Sequence, residues 1–169
     1  MQKAKENETR SVHKKYRKLL FALGVLLIII GVVFSFFAAD VNAPQPSQSL
    51  TTIRLSDQTF QTEIADTDTE RRQGLGGRQG IAENEAMLFV FDSESDQYCF
   101  WMKDVNFPLD IMWFDDQKQF VDAVYNLDPA TYPETFCPES AARYVIEVKG
   151  GVGERLRLTR ESRFDAQNL

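Results

Sequence analysis

The sequence predicts an all-β domain, mainly an antiparallel sandwich or partly closed barrel with one short helix, behind a single N-terminal transmembrane helix. Three observations predict it. Short apolar or alternating runs recur after residue 50 with turn residues between them. Only one stretch in that region carries a strong helix-start signal. Ahead of them, residues 19–39 form a run of 21 residues without a charge.

Residues 1–18 carry seven Lys or Arg against two acids, Glu6 and Glu8. At about 1.5 Å rise per residue, the uncharged run spans a hydrocarbon core of roughly 30 Å. A helix there satisfies its own backbone. The basic flank predicts a cytoplasmic tail and a signal anchor in the cell membrane, with the rest of the chain extracytoplasmic. A cleaved signal peptide is the rival reading. Its apolar stretch is usually shorter, and Val41-Asn42-Ala43 followed by Pro44 makes a poor cleavage site. Residues 40–49 (DVNAPQPSQS) read as a linker, which leaves 50–169 as the β domain.

Within that domain, Leu50–Leu55 and 59–65 read as a hairpin around Ser56-Asp57-Gln58. Thr67 and Glu70 have capping-box spacing and open a short helix through Gln73. Gly74, Gly76 and Gly77 end it. The loop GLGGRQG that they begin lacks the Gly-Lys-Ser/Thr ending of a phosphate loop. Further strands are predicted over 86–91, 98–103, 109–115, 119–125 and 142–148, with Asp115 to Lys118 as a turn. The nearly all-apolar AMLFVF run predicts burial on both faces. In YCFWMK, Tyr98, Phe100 and Met102 would share one face and Cys99, Trp101 and Lys103 the other. Gly150-Gly151 breaks the chain before a last basic strand over 154–158.

Charge and composition exclude several functions. Residues 40–169 hold 12 Lys or Arg and 23 Asp or Glu, a net charge of −11. A domain that acidic repels phosphate backbones, so no nucleic-acid partner is expected. The single histidine, His13, lies in the basic tail. None remains for a Ser-His-Asp or Cys-His site or for His-rich zinc. No cofactor and no metal are expected. Met87, Met102 and Met112 with Cys99 would suit Cu(I), but methionines at such spacings read as core. No acidic loop has EF-hand spacing. Cys99 and Cys137 are the only cysteines. Export favours a bridge between them, with two buried free thiols as the alternative. No Cys-x-x-Cys marks a redox-active pair.

The segment FWMKDVNFPLD concentrates Trp101, Lys103, Asp104 and Asp110 around a turn. With Arg143 and Arg78 these are the candidate ligand-binding residues. One reading is a pocket for a polar ligand beside an aromatic. The other packs Trp101 in the core and pairs Lys103, Asp110 and Arg143 as ions.

The blocks RQGLGGR, MLFVF, FWMKDVNFPLDIMWFD and ARYVIEV with its glycine turn occur in that order between about residues 72 and 149. Together they resemble the domain of unknown function 192 family. The resemblance implies a small, mostly β, often exported domain and no assigned activity. Members often carry Asn where this chain has Asp104, and two cysteines in the loop where it keeps only Cys137. The function expected is therefore binding of a small polar ligand, an envelope polymer or an envelope protein partner. The rival is an extracytoplasmic hydrolase using Lys103 with Asp104 or Asp110. A third reading is a structural accessory of a membrane complex. A cleft clustering Trp101, Lys103 and Asp110 would favour binding; a flat surface would favour the accessory.

Overall fold

Strand β1 (Leu50–Leu55) and strand β2 (Gln58–Ala65) alternate buried Ile53, Leu55, Phe60 and Thr62 with more open neighbours, as half-buried strands do. They pair antiparallel across a turn in which Ser56 adopts φ 55°. These and the following elements belong to a computed structural model that describes residues 50–166 and residue 169. The expected tail, transmembrane helix and linker lie outside the described residues. No helix among those described is long and apolar enough to cross a membrane.

Helix α1 (Asp68–Gln73) starts as the sequence predicts. Thr67 Oγ1 accepts from the Glu70 N–H, and the Glu70 carboxylate accepts from the Thr67 N–H. Strands β3 (Glu85–Ser95), β4 (Leu109–Phe114), β5 (Phe120–Leu127) and β6 (Ala142–Lys149) follow, then helix α2 (Val152–Arg155) and strand β7 (Phe164–Ala166). A single 3-10 turn, Pro129–Thr131, lies between β5 and β6.

The seven strands form one sheet in the order β5-β4-β6-β3-β2-β1-β7. Every neighbouring pair is antiparallel except β2–β3, which the α1 crossover makes parallel. The expectation of a mainly antiparallel, partly closed barrel is therefore met with one parallel seam added. The sheet curls into a half-barrel, and its two edges touch at one bridge, Gln119 opposite Arg163. There the Phe120 N–H donates to the Ser162 carbonyl at 2.9 Å and the Phe164 N–H to that of Lys118 at 3.2 Å.

Each face of the sheet has its own core. The enclosed face packs Ile53, Leu55, Phe60, Leu88, Met112, Phe114, Ile146 and Phe164. The outer face packs Met87, Phe89, Ile111, Trp113 and Val145 beneath irregular chain that adds Leu75, Met102 and Val105. Helix α2 stops the end of the curl with buried Val152. A Cβ on the adjacent Gly153 would fall 2.9 Å from Met112 Sδ and 3.1 Å from Asp110 Cβ, so a larger residue would force these side chains to shift.

Two expected strands are corrected. Residues 98–103 form no strand, because β3 is already flanked by β2 and β6 and offers no free edge. The segment instead lies over the outer face, joined to the 136 region by one bridge, Phe100 opposite Phe136. Residues 154–158 form no strand either. The N–H groups of Gly153 and Glu154 are held at 2.6 and 3.2 Å by the Asp110 carboxylate, which fixes a helical turn there. A second short α-helix and a 3-10 turn thus stand where one helix was expected.

Candidate functional site

Residue 147 of β6 points to the outer face, between Met87 of β3 and Ile111 of β4. The strand is otherwise apolar at this level, yet the residue is glutamate, and it is only 5% exposed. Burial pushes the Glu147 carboxyl up to about 8, and the Arg78 guanidinium opposes this only in part. Arg78 directs its planar fork at Glu63 of β2, with Nη1 and Nη2 donating to the two carboxylate oxygens at 2.5 and 2.6 Å. That bond holds the Glu63 carboxyl below the usual range. Glu147 feels the charge of the same Arg78, and it lines the cavity above the sheet.

Above Glu147 lies a cavity of about 420 Å³. Its walls are Phe89 and Phe91 from β3, Leu75 and Gly76 from the glycine loop, and Phe100, Trp101 and Val105 from the segment laid across the sheet. Two ties hold that segment in place. The Cys99–Cys137 disulfide, with two 2.8 Å backbone bonds between Phe100 and Phe136, fixes one end. The Gly77 N–H donates to the Asp104 carbonyl at 2.8 Å and joins the other end to the glycine loop. Asp104 takes φ 59° there, a left-handed conformation that Asn and Asp tolerate best.

The mouth is cationic and aromatic. Arg71 lies over the Phe91 ring at 5.3 Å and donates to the carbonyls of Asp66 and Val90. Arg72 and Lys103 stand at the rim with loose counter-ions, Asp68 at 3.5 Å and Asp104 at 3.7 Å. Trp101 is 48% exposed and meets Tyr132, 45% exposed, edge-on at 5.7 Å.

Of the residues singled out from the sequence, Trp101 and Lys103 line this cavity. Arg78 is not among the lining residues and binds Glu63 instead. Asp104 is exposed beside Lys103. Arg143 lies outside it, donating from Nε to the Phe91 carbonyl at 3.0 Å and lying over the Tyr144 ring. Asp110 is on the opposite face, fully buried. Its carboxylate accepts from the N–H groups of Asn126, Gly151, Gly153 and Glu154 at 2.6, 2.9, 2.6 and 3.2 Å. The cleft therefore clusters Trp101 with Lys103 but leaves Asp110 out. The expected bridge between Cys99 and Cys137 is formed. The methionines do not converge: Met87 and Met102 belong to the outer core and Met112 to the enclosed one. No group of three metal-ligating acids, cysteines or histidines occurs among the described residues.

Glu147, Phe89 and Phe91 were missed. A signal for Glu147 was present: a lone acid inside the apolar run YVIEV, on a strand flanked by two others.

A small curled β domain with a walled cavity on its outer face is the class that fold and site define. The family profile of the domain of unknown function 192, described as Uncharacterized ACR, matches residues 51–166, and this chain belongs to that family. Its fold is similar to a Sinorhizobium meliloti protein described as a "putative transcription regulator", at 25% identity and a TM-score of 0.67. That match covers 74% of this chain and 99% of the other. A protein of unknown function from Novosphingobium aromaticivorans is similar at 22% identity and a TM-score of 0.64, over 76% and 96% of the two chains. No curated protein matches the chain.

Proposed function

We propose that this protein is a membrane-anchored, extracytoplasmic binding domain that holds a small ligand in the cavity above Glu147. One observation carries the reading. A carboxyl group that folding has buried, with the uncharged Met87 and Ile111 beside it, lines an aromatic cavity. Burying such a group costs stability, and a bound molecule of complementary chemistry would offset that cost. The anchor rests on the uncharged run 19–39 and the basic residues before it.

Binding is favoured over hydrolysis by geometry. Lys103 and Asp104 are open to solvent and paired with each other, and Asp110 is committed to backbone on the other face. The net charge of −11 over residues 40–169 speaks against a nucleic-acid partner.

The test is a thermal-shift screen of the full chain in a nonionic detergent against sugars, amino acids, zwitterions and envelope fragments. A ligand at a hundred times its Kd should stabilise by about 2.7 kcal/mol. The gain should shrink in Phe100→Ala and Glu147→Gln. A screen in which nothing raises the midpoint, or in which both variants respond like the parent, would sink the proposal.

A further inference from the structure

We infer that the cavity takes a zwitterion, with its cationic end inward against Glu147 and its anionic end outward between Arg72 and Lys103. This rests on reading the cavity as a binding site. Three layers of different character are stacked there. Deepest is Glu147, only 5% exposed and lining the cavity. Next come the rings of Phe89, Phe91, Phe100 and Trp101. Outermost are Arg72 and Lys103, whose nearest counter-ions stand at 3.5 and 3.7 Å.

Each layer selects for charge. A cation among aromatic rings is favourable, and Glu147, once ionised, adds to that attraction. An anion at the same depth would oppose that ionisation. At the mouth the preference reverses. There Arg72 and Lys103, held only loosely by their counter-ions, offer two cations to an anionic group. A neutral ligand would use neither end. One molecule carrying both charges, cation first, uses both.

The surroundings of Glu147 leave this role open. Strands β3 and β4 face it with Met87 and Ile111, which carry no charge. The glycine loop brings Arg78, whose fork is engaged by Glu63 of β2. The rim contributes Arg71, Arg72 and Lys103, with Asp68 against the two arginines. No described residue makes a close ion pair with the acid.

Proton movement follows. In the empty cavity Glu147 is mostly protonated at pH 7, since its pKa lies at about 8. A cation placed against it favours the ionised form, and the proton leaves to solvent. Binding should release a proton at pH 7 and almost none at pH 10. The ligand requires the carboxylate, whose fraction grows as pH rises. Affinity should therefore increase about tenfold per pH unit below 8 and level off above it.

The probe is trimethylammoniopropanesulfonate, whose two charges do not titrate in this range. Its control is the carbon isostere with a tert-butyl group in place of the ammonium. Both are titrated calorimetrically into the full chain in a nonionic detergent, in buffers of differing ionisation enthalpy. The cationic probe should bind at least tenfold more tightly than the isostere, with proton release. Glu147→Gln should abolish the release and weaken the probe by about thirtyfold or more. Lys103→Ala should weaken it about threefold and leave the proton count unchanged. Glycerophosphocholine binding more tightly than the probe would assign the site to a lipid headgroup; binding no tighter would assign it to a free zwitterion. Equal binding of probe and isostere without proton release overturns the inference and leaves the cavity as a binding site. So does failure of both while a neutral compound raises the midpoint. Failure of every compound overturns both readings.

Discussion

On the enclosed face of the sheet, Asp110 is fully buried with four backbone N–H groups on its two oxygens. Across the sheet Glu147 is nearly as buried, beside the uncharged Met87 and Ile111 and facing the cavity. The first acid is a staple: it joins β4 to the bend in β5 and to the start of α2. The second meets a cavity instead of backbone donors. Burying an acid away from water is unfavourable, and the group answers by holding its proton. One buried carboxyl ties strands and helix together, and the other is the acid on which the proposed binding site rests.

The largest expected effect tests the staple. Asp110→Ala leaves four donors without an acceptor. At about 1–3 kcal/mol each, less what water recovers, the loss should be on the order of 5 kcal/mol in a urea titration. A loss under about 1 kcal/mol would break the contrast.

The next tests Glu147 through pH. Its folded pKa, about 8, lies above the ordinary 4.5. The folded state thus binds the extra proton between those values. The contribution of Glu147 is fully present below about pH 4.5 and is lost as pH rises through about 8. At 1.36 kcal/mol per unit the total is roughly 4–5 kcal/mol. Glu147→Gln should flatten that decline and make the protein more stable than its parent at pH 9, as read from urea midpoints. Glu63 works in the opposite sense. Its depressed pKa gives stability above the ordinary carboxylate range that fades in acid.

A smaller loss should follow reduction of the Cys99–Cys137 bond. Closing a loop of 38 residues is worth about 2–4 kcal/mol. The bond ties only the outer covering segment, so hydrogen exchange should quicken around residues 97–107 while β1 and β6 keep their protection. Equal loosening of both faces would dissolve the distinction between them.

The smallest effect concerns the rim. Lys103→Ala should change stability by less than about 1 kcal/mol, because its pair with Asp104 is open to solvent. A larger loss would mean that the rim is part of the core.

Most strands were legible in the sequence because their pairing rests on local pattern. β1 and β2 alternate around a turn, and Thr67 with Glu70 announces α1. The parallel β2–β3 seam was not legible, since nothing in either strand records its neighbour's direction. YCFWMK has the alternation of a strand, but alternation cannot reveal that every nearby edge is taken. The region after Gly151 was misread because the carboxylate that shapes it lies some forty residues earlier. Trp101 and Lys103 were found because they are close in sequence. Glu147, Phe89 and Phe91 join them only through sheet register and the folding over of one segment. Asp110 drew attention as a charge beside a turn, where burial by distant amides leaves no mark.

The seam at the sheet's edge bears on how the protein comes into being. β1 opens the domain, yet it pairs with β7, and Arg54 meets Asp165 across 111 residues of chain. The first strand made must wait for the last. A polypeptide threading outward from its N-terminal side would present the β1–β2 hairpin early, with one row of amides and carbonyls unclaimed. Such a row invites neighbouring strands. β1 meets the delay with Thr51, Thr52 and Arg54, a polar edge suited to waiting in water until its partner arrives.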